Sequence, residues 1–472
     1  MTDCRRDLDE ALSAYAAQDH YPFHMPGHKR RTDLAGEAAG KDITEIAGFD
    51  DLHCAEGILL EAQQRAADLY GSKRAFYLVN GSTAGILAAV SAALPRGGTL
   101  LAARNSHRSL YHAAALRGLR VHWLYPEQRK DEAGAAGISG PVSAREVERM
   151  LSLHPETGAV FITSPTYDGV GSDVEAAAEA AHRAGALLIV DAAHGAHFGM
   201  HPAFPENAVR QGADLVVHSL HKTLPSLTQT ALLHLCSERV SAEDIALWLR
   251  IYMTSSPSYV LMAGMDSCIG LMKSRGEELL GTFAGRLLAF RREAASWKTF
   301  RLLPADDPSK LLIGTGTSGT GGRQLAAILR EKYRLEPEME APGYVLMLTS
   351  LADTDEGFAR LAAAMRELDA AFPSGEGADA ARSALPALAR AKTAMTIAQA
   401  MEGKKKAVPL ADAAGLISAE FLYLYPPGVP LIAPGEVITR ELADLADALL
   451  REGYALQGAK DRSAKTLLTT AE

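Results

Sequence analysis

Short apolar segments alternate with helical patterns between about residues 75 and 235, and this alternation constrains the fold more than any other feature of the chain. Strands that alternate with helices predict a parallel sheet covered on both faces. Residues that follow such strands meet at the carboxyl edge of the sheet, where open α/β sheets bind their ligands. The predicted strands are 75–79, 99–103, 119–124, 159–163, 187–191, 213–217 and 231–235.

A lysine lies at the end of one of these strands. The segment HSLHKT at 218–223 follows the strand at 213–217, and its Lys222 is surrounded by two histidines and several hydroxyl side chains. Burial and neighbouring positive charge lower the pKa of a lysine and make its amine nucleophilic. Such an amine forms Schiff bases, usually with pyridoxal phosphate. An exposed loop lysine is the alternative that this segment alone leaves open.

An acid ends a second predicted strand. Asp191 closes the strand at 187–191 and is followed by Ala-Ala-His194. Pyridoxal phosphate enzymes place a carboxylate at the pyridine nitrogen, because a protonated ring accepts electrons. The spacing from Asp191 to Lys222 accommodates one step from strand through helix to strand, which would put both at one edge of the sheet. Taken alone, the acid could also be a helix cap.

A turn rich in glycine and hydroxyl residues, NGSTAG at 80–85, separates the strand at 75–79 from an apolar helix predicted at 86–93. A helix N-terminus binds phosphate through its free backbone N–H groups and its dipole, and Ser82 and Thr83 would add hydroxyl donors. The turn has neither the lysine of a Walker loop nor the spacing of the dinucleotide fingerprint. Plain helix capping by serine or threonine is the alternative.

Polar residues follow the predicted strands repeatedly, and we interpret them jointly. His107, after the strand at 99–103, could stack on a cofactor ring or hydrogen-bond within the core. Each residue has an ordinary explanation alone, but their common position favours one cavity at the carboxyl edge. That cavity is expected to gather Ser82, Thr83, His107, Asp191, His194, Ser219, His221 and Lys222.

The composition limits the class of protein. With 472 residues the chain is expected to form more than one domain, and no apolar run is long enough to span a bilayer. A formal net charge of -9 disfavours nucleic acid as a partner. The start of the chain lacks a signal-peptide core, and we expect a reducing cytoplasm. No metal site or disulfide framework is expected from the spacing of Cys4, Cys54, Cys236 and Cys268.

We predict an N-terminal arm at 1–55, a large cofactor-binding domain at 56–290 and a smaller domain at 291–472. The proline-rich part of the arm, 21–30, carries aromatic side chains that we expect to pack on something, such as a second subunit. A capping box is predicted at 143–146. Two separate helices are predicted at 261–272 and 277–297, and an Ala/Leu helical region at 357–401.

Seven segments, in this order, closely resemble the prokaryotic ornithine/lysine/arginine decarboxylases, which are pyridoxal-phosphate-dependent enzymes of fold type I. The resemblance implies an α/β large domain of the aspartate aminotransferase type, with a parallel-rich sheet, and a smaller α+β C-terminal domain. It is to the shorter members, without the N-terminal wing domain of the large acid-inducible enzymes. The segments are FHMPGHK at 23–29, LVNGST at 78–83, RNSH at 104–107, SPTY at 164–167, VDAAH at 190–194, HSLHK at 218–222 and YPPGVPL at 425–431.

The resemblance also implies roles for the candidate residues. Lys222 would bind pyridoxal 5'-phosphate as a Schiff base, Asp191 would hold the pyridinium nitrogen, and His107 would stack on the ring. His194 would face the phenolic oxygen. The phosphate would be surrounded by Ser82, Thr83, Ser219 and His221. Family members are homodimers or assemblies of dimers with the site at the subunit boundary, so the turn at 254–256 would serve a neighbour's phosphate.

The implied reaction is α-decarboxylation of arginine, lysine or ornithine to agmatine, cadaverine or putrescine, which are polyamines or their precursors. Another fold-type-I enzyme, an aminotransferase or lyase, is an alternative, because Arg323, Arg330, Arg334 or Arg360 could hold a substrate α-carboxylate. A catalytically silent regulatory protein that binds the cofactor is a second alternative. The acid that binds the distal cation of the substrate stays open among Glu45, Asp50, Asp51, Asp168 and Asp173.

Overall fold

The computed structural model describes residues 7–18, 20–127, 138–372, 390–425 and 428–471. Cys4, most of the loop at 130–142 and residues 373–389 of the predicted helical region lie outside these ranges. The chain divides into a first unit, Met1–Ala93 with Ile189–Thr282, and a second unit, Leu94–Leu188 with Phe283–Glu472. The boundaries 1–55, 56–290 and 291–472 stay a prediction.

The elements are numbered along the chain. The helices are α1 (Leu8–Ala16), α2 (Thr32–Ala35), α3 (Ile58–Tyr70), α4 (Gly81–Ala93), α5 (Arg108–Arg117), α6 (Ala144–Leu153), α7 (Val174–Arg183), α8 (Leu220–Thr223), α9 (Ala242–Tyr252), α10 (Tyr259–Ala294), α11 (Gly322–Tyr333), α12 (Asp355–Ala371), α13 (Ile397–Glu402) and α14 (Arg440–Arg451). The strands are β1 (Arg74–Leu78), β2 (Thr99–Ala103), β3 (Arg120–Leu124), β4 (Thr157–Thr163), β5 (Leu187–Asp191), β6 (Leu215–Ser219), β7 (Ala231–Leu235), β8 (Arg301–Leu303), β9 (Lys310–Gly314), β10 (Met339–Ala341), β11 (Tyr344–Leu348), β12 (Lys405–Pro409), β13 (Leu422–Leu424), β14 (Pro430–Ile432), β15 (Leu456–Gln457) and β16 (Thr466–Thr470).

The first unit contains strands in the order β1-β7-β6-β5. β5 and β6 are parallel, whereas β7 runs antiparallel to both β6 and β1. The antiparallel β7 corrects the prediction of a wholly parallel sheet. A parallel return needs a crossover of about a dozen residues or more, and the chain between Ser219 and Ala231 is shorter than that.

Helix α4 packs closely on the strands of the first unit. It begins at Gly81 rather than at the predicted residue 86, so the hydroxyl residues of the turn belong to its first turn. A methyl group added to Gly85 would lie 2.6 Å from Cδ1 of Leu78 and 3.2 Å from Cγ1 of Val217. Only glycine allows this close approach, which fixes the N-terminus of α4 against β1 and β6.

The second unit contains β4-β2-β3, a parallel set, and three smaller antiparallel sheets ordered β10-β11-β9-β8, β12-β16 and β14-β13-β15. The capping box predicted before α6 is wrong. The Ser143 side chain makes no capping hydrogen bond, and Glu146 instead accepts hydrogen bonds from Arg149. The loss is one capping interaction, and α6 still forms because its apolar face is buried at Val147 and Leu151.

The two helices predicted at 261–272 and 277–297 are one continuous helix, α10. The polar stretch between them was expected to break the helix, but it contains no proline. Arg275 pairs with Glu278 one turn further along, which is a helical spacing. A change in polarity therefore marks a change of solvent exposure here rather than a helix end.

The N-terminal arm is irregular after α1. Leu8 and Leu12 of α1 are buried, as their helical spacing predicts. Tyr21 and Phe23 stay 72% and 89% exposed in the single chain, so they find no packing partner within it. The expectation that a second subunit covers them stays a prediction.

Candidate active site

The ends of β5 and β6 bring the predicted acid and lysine to one place in the first unit. The parallel register pairs Asp191 with Val217. The pairing continues beyond the strands, since Ala192 donates its N–H to the carbonyl of Val217 at 3.0 Å and Ser219 donates to that of Ala193 at 3.4 Å. The backbone therefore sets the spacing between the two loops that carry the candidate residues.

Lys222 lies in α8, a single helical turn at the end of β6. Nζ of Lys222 is 3.0 Å from Nε2 of His194, within hydrogen-bonding distance. The turn is anchored because Leu220 donates its N–H to the carbonyl of Thr230 at 3.1 Å. Thus two of the predicted site residues, one after each strand, are in direct contact.

The Asp191 carboxyl group is buried, with 3% of the residue exposed. Burial raises its pKa, while the charge of Lys222 and the N–H of Ala193, which donates to Oδ1 at 3.1 Å, act in the opposite direction. A buried carboxylate is costly unless a cation or several donors compensate it. A pyridinium N–H is a cationic donor of the kind that this position requires.

The candidate phosphate residues offer donors that the described chain leaves unused. Oγ of Ser219 is buried and has no hydrogen-bond partner among the described residues. Ser82 is half-buried and Thr83 is exposed in the first turn of α4, where backbone N–H groups lack helical partners. A buried orphan hydroxyl and a long helix's open N-terminus are both suited to a phosphate group, so the residues of the first unit fit pyridoxal phosphate.

His221 is half-buried beside Lys222. Its Nδ1 lies 3.0 Å from the carbonyl oxygen of Thr230, which can only accept, so Nδ1 donates and the neutral ring carries no proton on Nε2. Burial lowers the pKa of His221, the Thr230 contact opposes this, and the charge of Lys222 adds to the lowering. The ring is therefore neutral near pH 7, and a nearby anion would favour its protonation.

The turn at 254–256, predicted to serve a neighbour's phosphate, is tied to the same region of the first unit. Thr254 donates its N–H to Oδ1 of Asn80 at 3.1 Å, and the His53 ring lies 2.7 Å from the carbonyl of Thr254. Asn80 precedes the first turn of α4 and was not singled out from the sequence as a positioning residue. Its place between a strand and a glycine was the available signal.

His107 lies in the second unit and is described there by itself. It is the N-terminal cap of α5, and its Nδ1 accepts from the N–H of Ser109 at 3.3 Å. Arg108 donates its N–H to the carbonyl of Gly428 at 3.2 Å, and a methyl group on Gly428 would lie 3.4 Å from the His107 ring. The segment that begins at residue 428 thus packs on the loop that carries His107.

Sequence reasoning missed the residue that anchors this loop. Arg104 is 1% exposed, and its guanidinium binds Glu436, the carbonyls of Pro430 and Leu431, and the Tyr111 hydroxyl. Arg104 was noted only as part of the RNSH segment. A partner more than 300 residues away along the chain leaves no local signal.

Four of the five candidate acids already have local partners. Asp50 accepts three backbone N–H groups at 56, 57 and 59, Asp51 accepts from His53, Asp173 caps α7, and Asp168 accepts from the Tyr344 hydroxyl. Glu45 is exposed, and no hydrogen bond joins its carboxylate to another described residue. Glu45 is therefore the most available of the five.

The arginines considered for a substrate α-carboxylate are mostly engaged within the second unit. Arg330 pairs with Glu336 and Glu340. Arg323 donates to the carbonyl of Glu452, and Arg360 to the carbonyls of Tyr333 and Arg334. Arg334 ends α11 in a left-handed conformation and is exposed. The aminotransferase alternative thus loses three of its four candidate residues to local contacts.

Two family models match the chain: "Orn/Lys/Arg decarboxylase, major domain" over residues 7–303 and "Orn/Lys/Arg decarboxylase, C-terminal domain" over residues 378–452. An arginine decarboxylase of Halalkalibacterium halodurans is 29% identical over 98% of this chain and 97% of its own length. The first model covers more than half of the chain.

Solved structures share the fold. The constitutive lysine decarboxylase of E. coli superposes with a TM-score of 0.82 at 21% identity, over 98% of this chain and 82% of that one. A serine palmitoyltransferase from S. paucimobilis with bound pyridoxal phosphate has a TM-score of 0.51 at 16% identity, over 66% and 76%. The α/β fold of type I is therefore confirmed. No helix within the described ranges is both long and apolar enough to cross a membrane.

Proposed function

The chain belongs to the Orn/Lys/Arg decarboxylase family, and we propose that it uses pyridoxal phosphate to remove the α-carboxylate of arginine, lysine or ornithine. The observation that carries the proposal is the 3.0 Å contact between Nζ of Lys222 and Nε2 of His194, beside the buried carboxyl group of Asp191. A nucleophilic amine, a base and a buried acid at one sheet edge are the groups that this chemistry requires.

The bound cofactor would supply an electron sink for the pair of electrons left when carbon dioxide departs. The residues of the chain bind and orient it. Lys222 is the attachment point, Asp191 would accept the pyridinium N–H, and Ser219 with Ser82, Thr83 and His221 would bind the phosphate. The role of His107 as the residue stacked on the ring stays a prediction from the family resemblance.

Lys222 and His194 are suited to move a proton. Their nitrogen atoms are 3.0 Å apart, so a proton can pass directly between them. The product amine requires a proton on the former α-carbon, and the amine of Lys222 is the proposed donor, with His194 restoring its proton. Burial of His194, which is 6% exposed, would keep bulk water from competing for this transfer.

The substrate class follows from the family, and arginine is the first candidate. The Halalkalibacterium relative that covers nearly the same length is named an arginine decarboxylase. Glu45 supports a basic substrate, since its unused carboxylate could bind a distal guanidinium or ammonium group. The engaged arginines of the second unit argue against an aminotransferase, which needs a free guanidinium for the α-carboxylate.

Separate incubations with arginine, lysine and ornithine test the proposal. The purified protein, loaded with pyridoxal phosphate, should release carbon dioxide and form agmatine, cadaverine or putrescine from at least one of them. Formation of an α-keto acid with retention of carbon dioxide would assign it to the aminotransferases instead. No turnover of any of the three, with the cofactor bound, would support the silent binding protein.

We also propose a homodimer, or an assembly of dimers, in the reducing cytoplasm. The exposed Tyr21 and Phe23 and the exposed hydroxyl turn at 254–256 support a second copy of the chain as the partner. A dimer mass by light scattering, reduced to a monomer mass by Phe23→Glu, is the expected result. A monomer that is fully active would contradict it.

A further inference from the structure

We propose that His122, His154 and Glu156 form a binding site for Zn²⁺ on the second unit, apart from the residues of the proposed reaction. The three side chains come from three elements: β3, the residue that ends α6, and the turn before β4. Among the described residues, they are the one group of three or more potential ligands whose donor atoms all lie within 4.8 Å of one another.

The distances fit one small cation. Oε1 of Glu156 lies 3.9 Å from Nε2 of His122 and 3.8 Å from Nδ1 of His154. Ligands of a tetrahedral zinc ion, at 2.0–2.1 Å from the metal, are about 3.3 Å apart. The donors are thus about half an ångström further apart than in a loaded site, and side-chain rotation can supply that contraction.

The donor atoms are available. No hydrogen bond joins any of the three side chains to another described residue. The distances among them exceed hydrogen-bond length, so the three polar groups converge without satisfying one another. Such an arrangement is poorly explained by packing alone, whereas a cation between them would satisfy all three.

The backbone holds the ligands in place. His122 lies in the middle of β3, paired with Leu101 of β2. His154 donates its N–H to the carbonyl of Met150 at 2.9 Å, and its own carbonyl accepts from both N–H and Oγ1 of Thr157. Glu156 is fixed between these two anchors. The site would therefore need little ordering when it binds a metal.

The imidazoles are in a suitable state for ligation. Their rings are stacked, with centroids 3.5 Å apart and an interplanar angle of 16°. Burial lowers the pKa of His122, the neighbouring His154 and Arg120 lower it further, and Glu156 opposes them. A neutral imidazole is the form that binds metal. Arg120 is the opposing charge, and its guanidinium is held by Thr99.

The ligand set selects the metal and leaves a position open. Two imidazoles and one carboxylate suit Zn²⁺, and a set of three protein ligands leaves the fourth position to water. The side chains are 32%, 24% and 49% exposed, so solvent can reach that position. A bound ion would tie β3, the end of α6 and the start of β4 together.

Zinc titration of the full-length, cofactor-loaded protein after chelator treatment tests the proposal. Calorimetry should show one zinc ion per chain, and zinc should raise the unfolding temperature. His122→Ala and His154→Ala should each weaken binding by at least about 10-fold, and Glu156→Gln should do so without removing side-chain volume. His182→Ala, on α7 of the same unit, is the matched control and should bind as the wild type does.

Co²⁺ gives a readout that does not depend on activity. The visible spectrum of the loaded protein should show tetrahedral or five-coordinate cobalt, lost in His154→Ala. A thiolate charge-transfer band, or zinc binding equal in wild type, His154→Ala and Glu156→Gln, would overturn the proposal. A wild-type protein that binds no zinc would overturn it as well. Neither result bears on decarboxylation.

Discussion

The guanidinium of Arg104 and the carboxylate of Glu436 form a bidentate ion pair, with Nε and Nη2 each 2.9 Å from one oxygen. Both side chains are nearly inaccessible, at 1% and 2% exposure. Burial disfavours the charged guanidinium, but Glu436 raises the pKa of Arg104 above its ordinary value. The pair therefore stays charged inside the second unit and connects the RNSH segment to the region after Gly428.

Glu436→Gln should destabilise the protein by roughly 3–5 kcal/mol, because it leaves a buried guanidinium without its counter-charge. Chemical unfolding monitored by circular dichroism measures the change. The exposed pair Arg275 and Glu278 is the control, and Glu278→Gln should cost less than about 1 kcal/mol. The apolar double replacement Arg104→Met with Glu436→Leu should recover much of the loss, and equal losses at positions 436 and 278 would contradict the assignment.

Lys222→Ala should abolish turnover and the visible absorbance of the covalently bound cofactor, because the chain then has no amine at the attachment point. Absorbance spectra and carbon dioxide release measure the two effects. Lys273→Ala, an exposed lysine of the same unit, should change neither. An active variant that keeps the absorbance band would remove Lys222 from the site.

Asp191→Asn should lower kcat by roughly 100-fold or more while cofactor occupancy falls far less, because the amide cannot stabilise a positive charge on the ring. Steady-state kinetics and cofactor content after dialysis separate the two quantities. Asp214→Asn removes another buried carboxylate of the first unit, 0% exposed, and should leave kcat per cofactor nearly unchanged. A similar kcat in both variants would count against Asp191 as the ring partner.

The protein should lose stability as the pH falls below about 6.5. Burial lowers the pKa of His234 to about 3, and burial together with His234 and His197 lowers that of His218. These rings are neutral when folded but take up protons when unfolded, so each costs about 1.4 kcal/mol per pH unit below 6.5, down to its folded pKa. The contribution is fully present above 6.5.

His234→Leu isolates this effect, because it removes one of the buried rings. Urea unfolding at pH 7, 6 and 5 should give a shallower pH dependence for the variant, by nearly one proton at pH 5. His182→Ala removes a histidine for which burial is incomplete and should keep nearly the wild-type slope. Parallel curves for wild type and His234→Leu would show that His234 is protonated in the folded state.

Glu45→Gln should raise the KM for the basic amino acid by about 10-fold or more, with a smaller effect on kcat, because it removes the proposed partner of the distal cation. Initial rates over a range of substrate concentrations measure both constants. Glu56→Gln replaces another exposed acid of the same segment and should leave KM within about twofold of the wild type. An unchanged KM in Glu45→Gln would return the assignment to the other four acids.

The sequence predicted the strands around the site well, because buried strands are apolar runs bounded by polar residues. The structure has strands at 99–103, 187–191 and 231–235, as predicted. The direction of the last of these was not predictable from its own residues, since it depends on the length of the connection. The first turn of α4 was missed because its glycine and hydroxyl residues also occur in loops.

Contacts between distant residues could not be predicted at all. Arg104 meets Glu436, and His122 meets Glu156, only after the chain has folded. Neither pair has a sequence spacing that local periodicity could indicate. The contact of Lys222 with His194 was expected only as a general consequence of two strands ending at the same edge.

The hydrogen bonds that extend β5 and β6 as far as Ala193 and Ser219 have a consequence for engineering. They make the separation of the two chemical groups a property of main-chain pairing, which side-chain replacement elsewhere does not alter. Residues of the segment that carries Glu45 could then be randomised to accept a different amino acid while the groups that break the bond keep their places.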